Sequence, residues 1–142
     1  MYQRVIGMII EIPGPPIPLQ RARVSHNRFY DPQYKVKENM RWYVTREYGV
    51  LKPIEEPIFL ELTFHMPIPK SWSKKKQAKF LNQPHAVKAD LSNLIKFYED
   101  CFLDIIWRDD SLIWKLNAQK IYSLVPKTII NIKDTAHDQV KC

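Results

Sequence analysis

The stretch at residues 90–105, DLSNLIKFYEDCFLDI, has the clearest periodic pattern in the chain. Its apolar residues recur at the i, i+3, i+4 and i+7 spacing that places side chains on one face of an α-helix. They are Leu91, Leu94, Ile95, Tyr98, Cys101, Phe102 and Ile105. Polar residues gather on the opposite side: Asp90, Asn93, Lys96, Asp100 and Asp104. The pattern predicts an amphipathic helix that packs against a core by one face.

The sequence on both sides of this helix alternates with the period of two that is typical of β-strands. Alternation predicts strands at residues 6–12, 58–65, 111–122 and 127–132. A second long helix is expected at 33–50 and a short one at 74–80. The expected inward residues are Val36, Met40, Tyr43 and Val44 in the long helix and Leu112, Trp114, Leu116 and Ala118 in the third strand. Together these elements predict an α+β fold, with a mixed sheet of about four strands against two main helices.

The chain has 142 residues, of which 45% are hydrophobic and 26% charged, as expected for one folded domain. We expect this domain at residues 1–133 and a tail at 134–142. Two cysteines without metal-like spacing exclude a disulfide framework and favour a reducing, cytoplasmic setting. The apolar run near the N-terminus is far shorter than the roughly 20 residues of a membrane span, so no membrane association is expected.

Charge is unevenly distributed along the chain. Residues 90–110 hold six acids and two bases, whereas the whole chain has a net charge of +7. Residues 70–88 hold six lysines and no acid. An acidic patch within a basic protein is typical of a metal site on a surface that binds polyanions. The same distribution is also typical of a solvated helix face beside a lysine-rich loop.

Several common sites are excluded by residue type. Three glycines are too few and too scattered for a phosphate-binding glycine loop, and no Gly-x-Ser-x-Gly motif is present. The four histidines lack the spacing of a zinc site. What remains is carboxylate chemistry, with Asp90 at the start of the best helix and Asp109 and Asp110 in the turn after it. Such oxygen ligands suit Mg²⁺, although Asp90 could equally cap the helix and the other two could stabilise the turn.

The runs KADLSNLIKF at residues 88–97 and WRDDSLI at 107–113 together resemble the RusA family of Holliday junction resolvases. That family's signature is Asp-x-Asp-Asn-Leu, then a lysine, then a Trp-x-Asp-Asp turn. The stretches PGPP at 13–16 and FYDP at 29–32 also look like family features. The resemblance implies a small homodimeric, Mg²⁺-dependent endonuclease that nicks four-way DNA junctions and is commonly encoded by phages and prophages.

The resemblance also implies roles for individual residues. Asp90 and Asp110 match the family's metal-binding aspartates, with Asp109 beside them, and Lys96 matches the lysine that meets the phosphate. Asn93 and Asp100 are expected to orient these ligands without contacting the metal ion themselves. This sequence departs from the signature at Ser92, where the family has a second aspartate. A serine hydroxyl can bind Mg²⁺ but brings no charge, so either Asp109 or Asp100 supplies it or the protein binds junctions and cuts them poorly.

Basic residues outside the signature are expected to contact DNA phosphates. They are Arg21, Arg23 and Arg28 in a turn-rich loop, with Lys70, Lys74, Lys75, Lys76, Lys79 and Lys88. Two aromatic residues, Phe29 and Trp72, flank these charges. Each could stack on an unpaired base or anchor its own loop by packing, and packing is the commoner role for such a residue.

Overall fold

The computed structural model describes residues 5–133, so residues 1–4 and the tail expected at 134–142 lie outside the described part. Its elements follow the predicted order, with an additional hairpin in the region expected to be a loop. They are β1 (Ile9–Pro13), β2 (Arg23–Ser25), β3 (Arg28–Tyr30), α1 (Tyr34–Tyr48), β4 (Ile58–Pro67), α2 (Lys74–Phe80), α3 (Leu91–Cys101), β5 (Ile113–Ser123) and β6 (Lys127–Lys133). A short 3₁₀ turn, Asp110–Leu112, precedes β5.

Four strands form one mixed sheet in the order β1-β6-β4-β5. The β4–β5 pair is parallel and the other two pairs are antiparallel. Because parallel neighbours need a crossover, the chain between β4 and β5 leaves the sheet and forms α2 and α3. Alternate β4 residues Leu60, Leu62 and Phe64 are at most 1% exposed and form the centre of the core. The predicted α+β fold with a four-stranded mixed sheet is confirmed.

The buried side of α1 differs from the prediction. Val36 is 40% exposed, whereas Lys37 is only 4% exposed. The Lys37 ammonium lies 2.7 Å from Asp31 and 2.5 Å from Asp100. These two carboxylates make burial of a lysine acceptable, and the helix therefore turns Lys37 inward instead of Val36.

The inward side of β5 also differs. Trp114 and Leu116, expected to be inside, are 51% and 37% exposed. Leu116 is paired in register with the buried Leu60. However, β5 is an edge strand of the four-stranded sheet, and among the described residues its outer side is paired only near its end, where Ile121 bridges to Pro84, so the start of the strand lies at the rim of the core rather than within it.

The predicted helix at 90–105 is confirmed but ends four residues early, at Cys101. The chain then turns through Asp104, whose φ is 63°, and returns so that Trp107 is fully buried. By turning back here, the chain places the large Trp107 side chain in the core. Within residues 5–133, no helix is long and apolar enough to cross a membrane.

Candidate functional site

Asp90 occupies the N-cap position of α3, but its side chain makes no capping hydrogen bond. Instead, the Asp90 main-chain carbonyl accepts hydrogen bonds from the amides of Asn93 and Leu94, at 3.1 and 3.2 Å. The side chain is exposed. Of the two roles open to Asp90 from sequence, the structure does not show the capping role, and the carboxylate is left to face solvent.

Lys120 of β5 orients the loop that leads into Asp90. Its ammonium donates to the carbonyl oxygens of Val87 and, at 2.5 Å, Ala89. Lys120 is not among the site residues expected from the sequence. The available signal was its position in the alternation of β5, two residues beyond Ala118 and two before the buried Tyr122, where a charged residue needs a polar partner.

The turn at 107–110 is attached to the second half of α3. The Trp107 indole Nε1 donates to the Glu99 carbonyl oxygen at 3.0 Å. Asp109 accepts a hydrogen bond from the Ser111 amide at 2.9 Å, and this bond lowers the pKa of Asp109 below the usual aspartate value. Asp109 therefore caps the 3₁₀ turn, while the neighbouring Asp110 carboxylate is exposed.

Glu99 is an acidic neighbour of Asp110 that sequence analysis overlooked. Burial raises the pKa of Glu99, the negative charge of Asp110 raises it further, and Lys96 acts in the opposite direction. Lys96 and Asp110 are thus both within electrostatic range of Glu99. The signal in the sequence was the helical spacing, because Ser92, Lys96 and Glu99 follow one another at i, i+4 and i+7 on one face of α3.

Asp100 is committed to a structural ion pair. Its carboxylate lies 2.5 Å from the buried Lys37 ammonium, which also contacts Asp31. Burial lowers the pKa of Lys37, but hydrogen bonds to Asp100 and Asp31 outweigh that effect and the pKa is raised. Burial likewise acts to raise the pKa of Asp31, but the hydrogen bonds from Lys37 and the Gln33 amide hold it below the usual value. The three residues link the segment before α1, α1 itself and α3.

Comparison with known proteins gives the family. The family model described as Endodeoxyribonuclease RusA matches residues 13–133, which include both the α3 region and the turn with Asp110. The chain belongs to the RusA endodeoxyribonuclease family. It is also similar to the uncharacterized protein YqaN of Bacillus subtilis (strain 168), with 31% identity over 88 residues. That match covers 58% of this chain and 61% of the relative, so the chain spans less than two thirds of that relative's length.

The RusA signature residues are distributed along α3. Asp90, Ser92 and Asn93 lie at its N-terminal end, and the turn with Asp110 adjoins its second half. Within residues 5–133, no three His, Cys, Asp or Glu side chains are close enough to hold a metal ion together. Magnesium usually binds through one or two carboxylates, water and substrate phosphate. The exposed carboxylates of Asp90 and Asp110 are donors of that chemical type.

The basic residues expected to contact DNA are all exposed: Arg21, Arg23, Arg28, Lys70, Lys74, Lys75, Lys76, Lys79 and Lys88. Lys76 lies over the Trp72 ring, 4.2 Å from its centroid. Trp72 itself packs against Phe80 and Tyr122, with ring centroids 5.0 and 5.6 Å away. The packing interpretation of Trp72 is confirmed. For Phe29 it is wrong, because that side chain is 82% exposed and the part of the chain that the structure describes leaves it uncovered.

Proposed function

We propose that this protein is a Mg²⁺-dependent endodeoxyribonuclease that resolves four-way DNA junctions by paired symmetric nicks. The observation that carries the proposal is the family match over residues 13–133. Asp90 and Asp110 are both exposed and lie within that match, and neither side chain caps a helix. An adaptor that held DNA by charge alone would gain nothing from carboxylates placed within its own positive field.

Asp90 and Asp110 are the proposed protein ligands of the ion, with the Ser92 hydroxyl as a further oxygen ligand. When bound, Mg²⁺ activates a water molecule and neutralises the charge that develops on the cleaved phosphodiester. Lys96 is proposed to contact a phosphate oxygen, and Asn93 to orient the Asp90 carboxylate. Asp109 and Asp100 each already have a structural partner on one carboxylate oxygen, so a contribution of either to the charge missing at Ser92 would use its remaining oxygen lone pairs.

The proposed active form is a homodimer, in which two symmetry-related sites face the two strands to be cut. A four-way junction has a two-fold axis that relates those strands, and an isologous dimer has the matching symmetry. Analytical ultracentrifugation of the protein with and without a junction tests this element separately from the chemistry.

The test is cleavage of a synthetic mobile junction, beside a linear duplex of matching sequence, with and without Mg²⁺. We expect paired nicks in the junction only, and only with metal. Asp90→Asn and Asp110→Asn should each reduce cleavage at least about a hundredfold while junction binding is retained, because removing a carboxylate lessens repulsion of phosphate. Asp104→Asn is the matched control, since Asp104 is an exposed aspartate near the same turn that pairs with Arg108 at 3.2 Å.

A second candidate function is binding of branched DNA with little or no cleavage. Two observations favour it: Ser92 stands where the family has an aspartate, and residues 5–133 contain no cluster of three metal-binding side chains. Tight junction binding without nicks in either Mg²⁺ or Mn²⁺ would establish this function instead. Ser92→Asp should then restore metal-dependent cleavage, and that variant distinguishes a lost ligand from a protein that never cut DNA.

A further inference from the structure

Residues 20–32, named the arm here, form a projecting hairpin that the catalytic assignment does not use. All ten residues 21–30 are exposed. They include two large apolar side chains, Phe29 at 82% and Val24 at 61% exposure. Burying an exposed phenylalanine is favourable whenever a partner is available, so an arm of this composition is suited to contact something outside the chain.

The arm has two chemically different faces. Its strands pair Val24 with Phe29, Arg23 with Tyr30 and Ser25 with Arg28. Side chains directly opposite each other in an antiparallel pair share one face. One face therefore carries Val24 and Phe29, and the other carries Arg23 and Arg28 with Tyr30. The tip residues His26 and Asn27 have φ values of 51° and 62°, as in the tight turns that match the twist of a hairpin, so the two faces are defined by regular pairing.

The base of the arm is held against α3. The Leu19 amide donates to the Asn93 carbonyl oxygen at 2.9 Å, in the first turn after Asp90. The Gln33 side chain joins the two legs, because it accepts from the Gln20 amide at 2.8 Å and donates to the Pro18 carbonyl at 2.9 Å. At the other leg, Lys37 links Asp31 to Asp100 of α3. The arm thus starts beside the N-terminal end of α3, where the proposed site lies.

The charge of the arm identifies the class of its partner. Residues 20–30 contain three arginines and no acid. Within the described residues, no ion pair involves Arg21, Arg23 or Arg28. Unpaired arginines on one face fit phosphates. The apolar face fits a base whose π-surface is uncovered, and a regular duplex keeps those surfaces stacked, whereas a branch point interrupts the stacking.

We propose that the arm distinguishes branched from linear DNA, with Arg23 and Arg28 on backbone phosphates and Phe29, supported by Val24, against bases unstacked at the branch point. This inference rests on the proposed DNA substrate and adds to it the element that selects DNA structure. Apolar side chains that enter between base steps are an established mode of DNA binding. Phe29 is here a specificity residue and takes no part in bond cleavage.

The test measures dissociation constants for a four-way junction and a matched linear duplex with Ca²⁺ in place of Mg²⁺, so that cleavage does not interfere. We expect Phe29→Ala to weaken junction binding by about five- to a hundredfold, the range of one stacked base, and duplex binding by less than about twofold. Phe29→Trp should keep the junction preference. Trp42→Ala is the control, because Trp42 is an aromatic residue on α1 with 67% exposure. The fluorescence of 2-aminopurine placed at the branch point should change when the wild type binds and not when Phe29→Ala binds.

Equal affinity of Phe29→Ala and wild type for the junction would overturn the proposal, as would equal losses on junction and duplex. Conversion of a dimer to a monomer by Phe29→Ala would also overturn it, since the apolar face would then be covered by a second copy. The cleavage assay with Mg²⁺ remains a separate readout. A wild type that selects junctions through Phe29 but leaves them uncut would refute the proposed nuclease and leave the role of the arm standing.

Discussion

The arm at residues 20–32 and the lysine segment at residues 70–88 carry similar residues but attach to the domain in opposite ways. Each combines several basic residues with a flanking aromatic residue. The arm is attached by polar contacts at its base and exposes Phe29. The lysine segment is attached by aromatic packing of Trp72 with Phe80 and Tyr122 and exposes its lysines. Whether an aromatic side chain among basic residues is left free to contact a partner therefore depends on whether the fold provides an apolar surface that covers it.

The largest expected effect is on the attachment of the arm. Asp31→Asn and Asp100→Asn should each cost about 1 kcal/mol of unfolding free energy, because both carboxylates are partly exposed. The double variant should cost about 3 kcal/mol or more, since it leaves the buried Lys37 without a carboxylate. Urea unfolding of the four proteins in the cycle measures the difference.

Adding Lys37→Met to the double variant is the control for this interpretation. Removing the uncompensated charge should recover much of the lost stability. Strict additivity of the two single substitutions, or no recovery with Lys37→Met, would show that the ion pairs do not hold the base of the arm.

Loss of the aromatic residue should lower the unfolding free energy more in the lysine segment than in the arm. Trp72→Ala should cost about 2 kcal/mol, below the range for fully buried aromatic residues because Trp72 is only half-buried. Phe29→Ala should change stability by less than about 0.5 kcal/mol. Thermal and urea unfolding of both variants tests the comparison, and comparable losses would mean that Phe29 packs in solution.

As the pH falls, the contacts that attach the lysine segment should lose stability at a higher pH than the contacts that attach the arm. His85 packs on Tyr122, with ring centroids 4.7 Å apart, and burial, with the nearby charge of Lys120, lowers its pKa below the usual 6.5. Because the unfolded chain then binds the proton more readily, unfolding free energy should decrease as the pH falls below about 6.5. The pKa of His65 is lowered in the same direction, mainly through burial.

The contribution of the arm's ion pairs to the unfolding free energy should be constant between pH 7 and 5. The contribution of Asp31 is present above its usual pKa of 3.8 and is lost as the pH falls below it. That of Lys37 is present below 10.5 and is lost as the pH rises through its raised pKa. His85→Gln should reduce the slope of unfolding free energy against pH between pH 7 and 5, and a slope identical to that of the wild type would contradict this assignment.

The smallest effect is expected on binding to linear duplex. Replacing Arg21, Arg23 and Arg28 with Gln, or Lys74, Lys75 and Lys79 with Gln, should reduce the dependence of log K on log salt by about 0.9 for each phosphate that is no longer neutralised. A change in only one of the two triple variants would show that the other region does not touch the DNA backbone. Unchanged slopes in both would place the phosphate-binding surface elsewhere.

Much of the fold could be predicted from local patterns. The alternation of β4 and the periodicity of α3 describe elements at the centre of the core, where nearly every inward residue is covered. The predictions were wrong for Val36, Trp114 and Leu116, where burial depends on neighbours from distant parts of the chain. Lys37 is buried because Asp31 and Asp100 converge on it, and the separations of 6 and 63 residues are not visible in a periodic pattern.

The candidate site shows the same division. Asp90, Lys96 and Asp110 could be proposed from the sequence, because a helix start, a helix face and an acidic turn are local features, and their roles stay predictions. The sequence could not show that Asp100 is engaged by Lys37, that Asp109 caps a turn, or that the charges of Asp110 and Lys96 act on Glu99. Nor could it show the role of Lys120, which acts on carbonyl groups more than thirty residues earlier in the chain.

By itself, the sequence determined the order of the elements, the amphipathic side of α3, the charge of both basic regions and the membership of the RusA family. These properties depend on residue type and short spacing, which the chain carries whether or not it is folded. Only the tertiary structure decided which polar groups are already occupied and which apolar groups are left exposed. That outcome depends on pairs of residues far apart in sequence, and for this reason Trp72 became part of the core's edge while Phe29 became available to a partner.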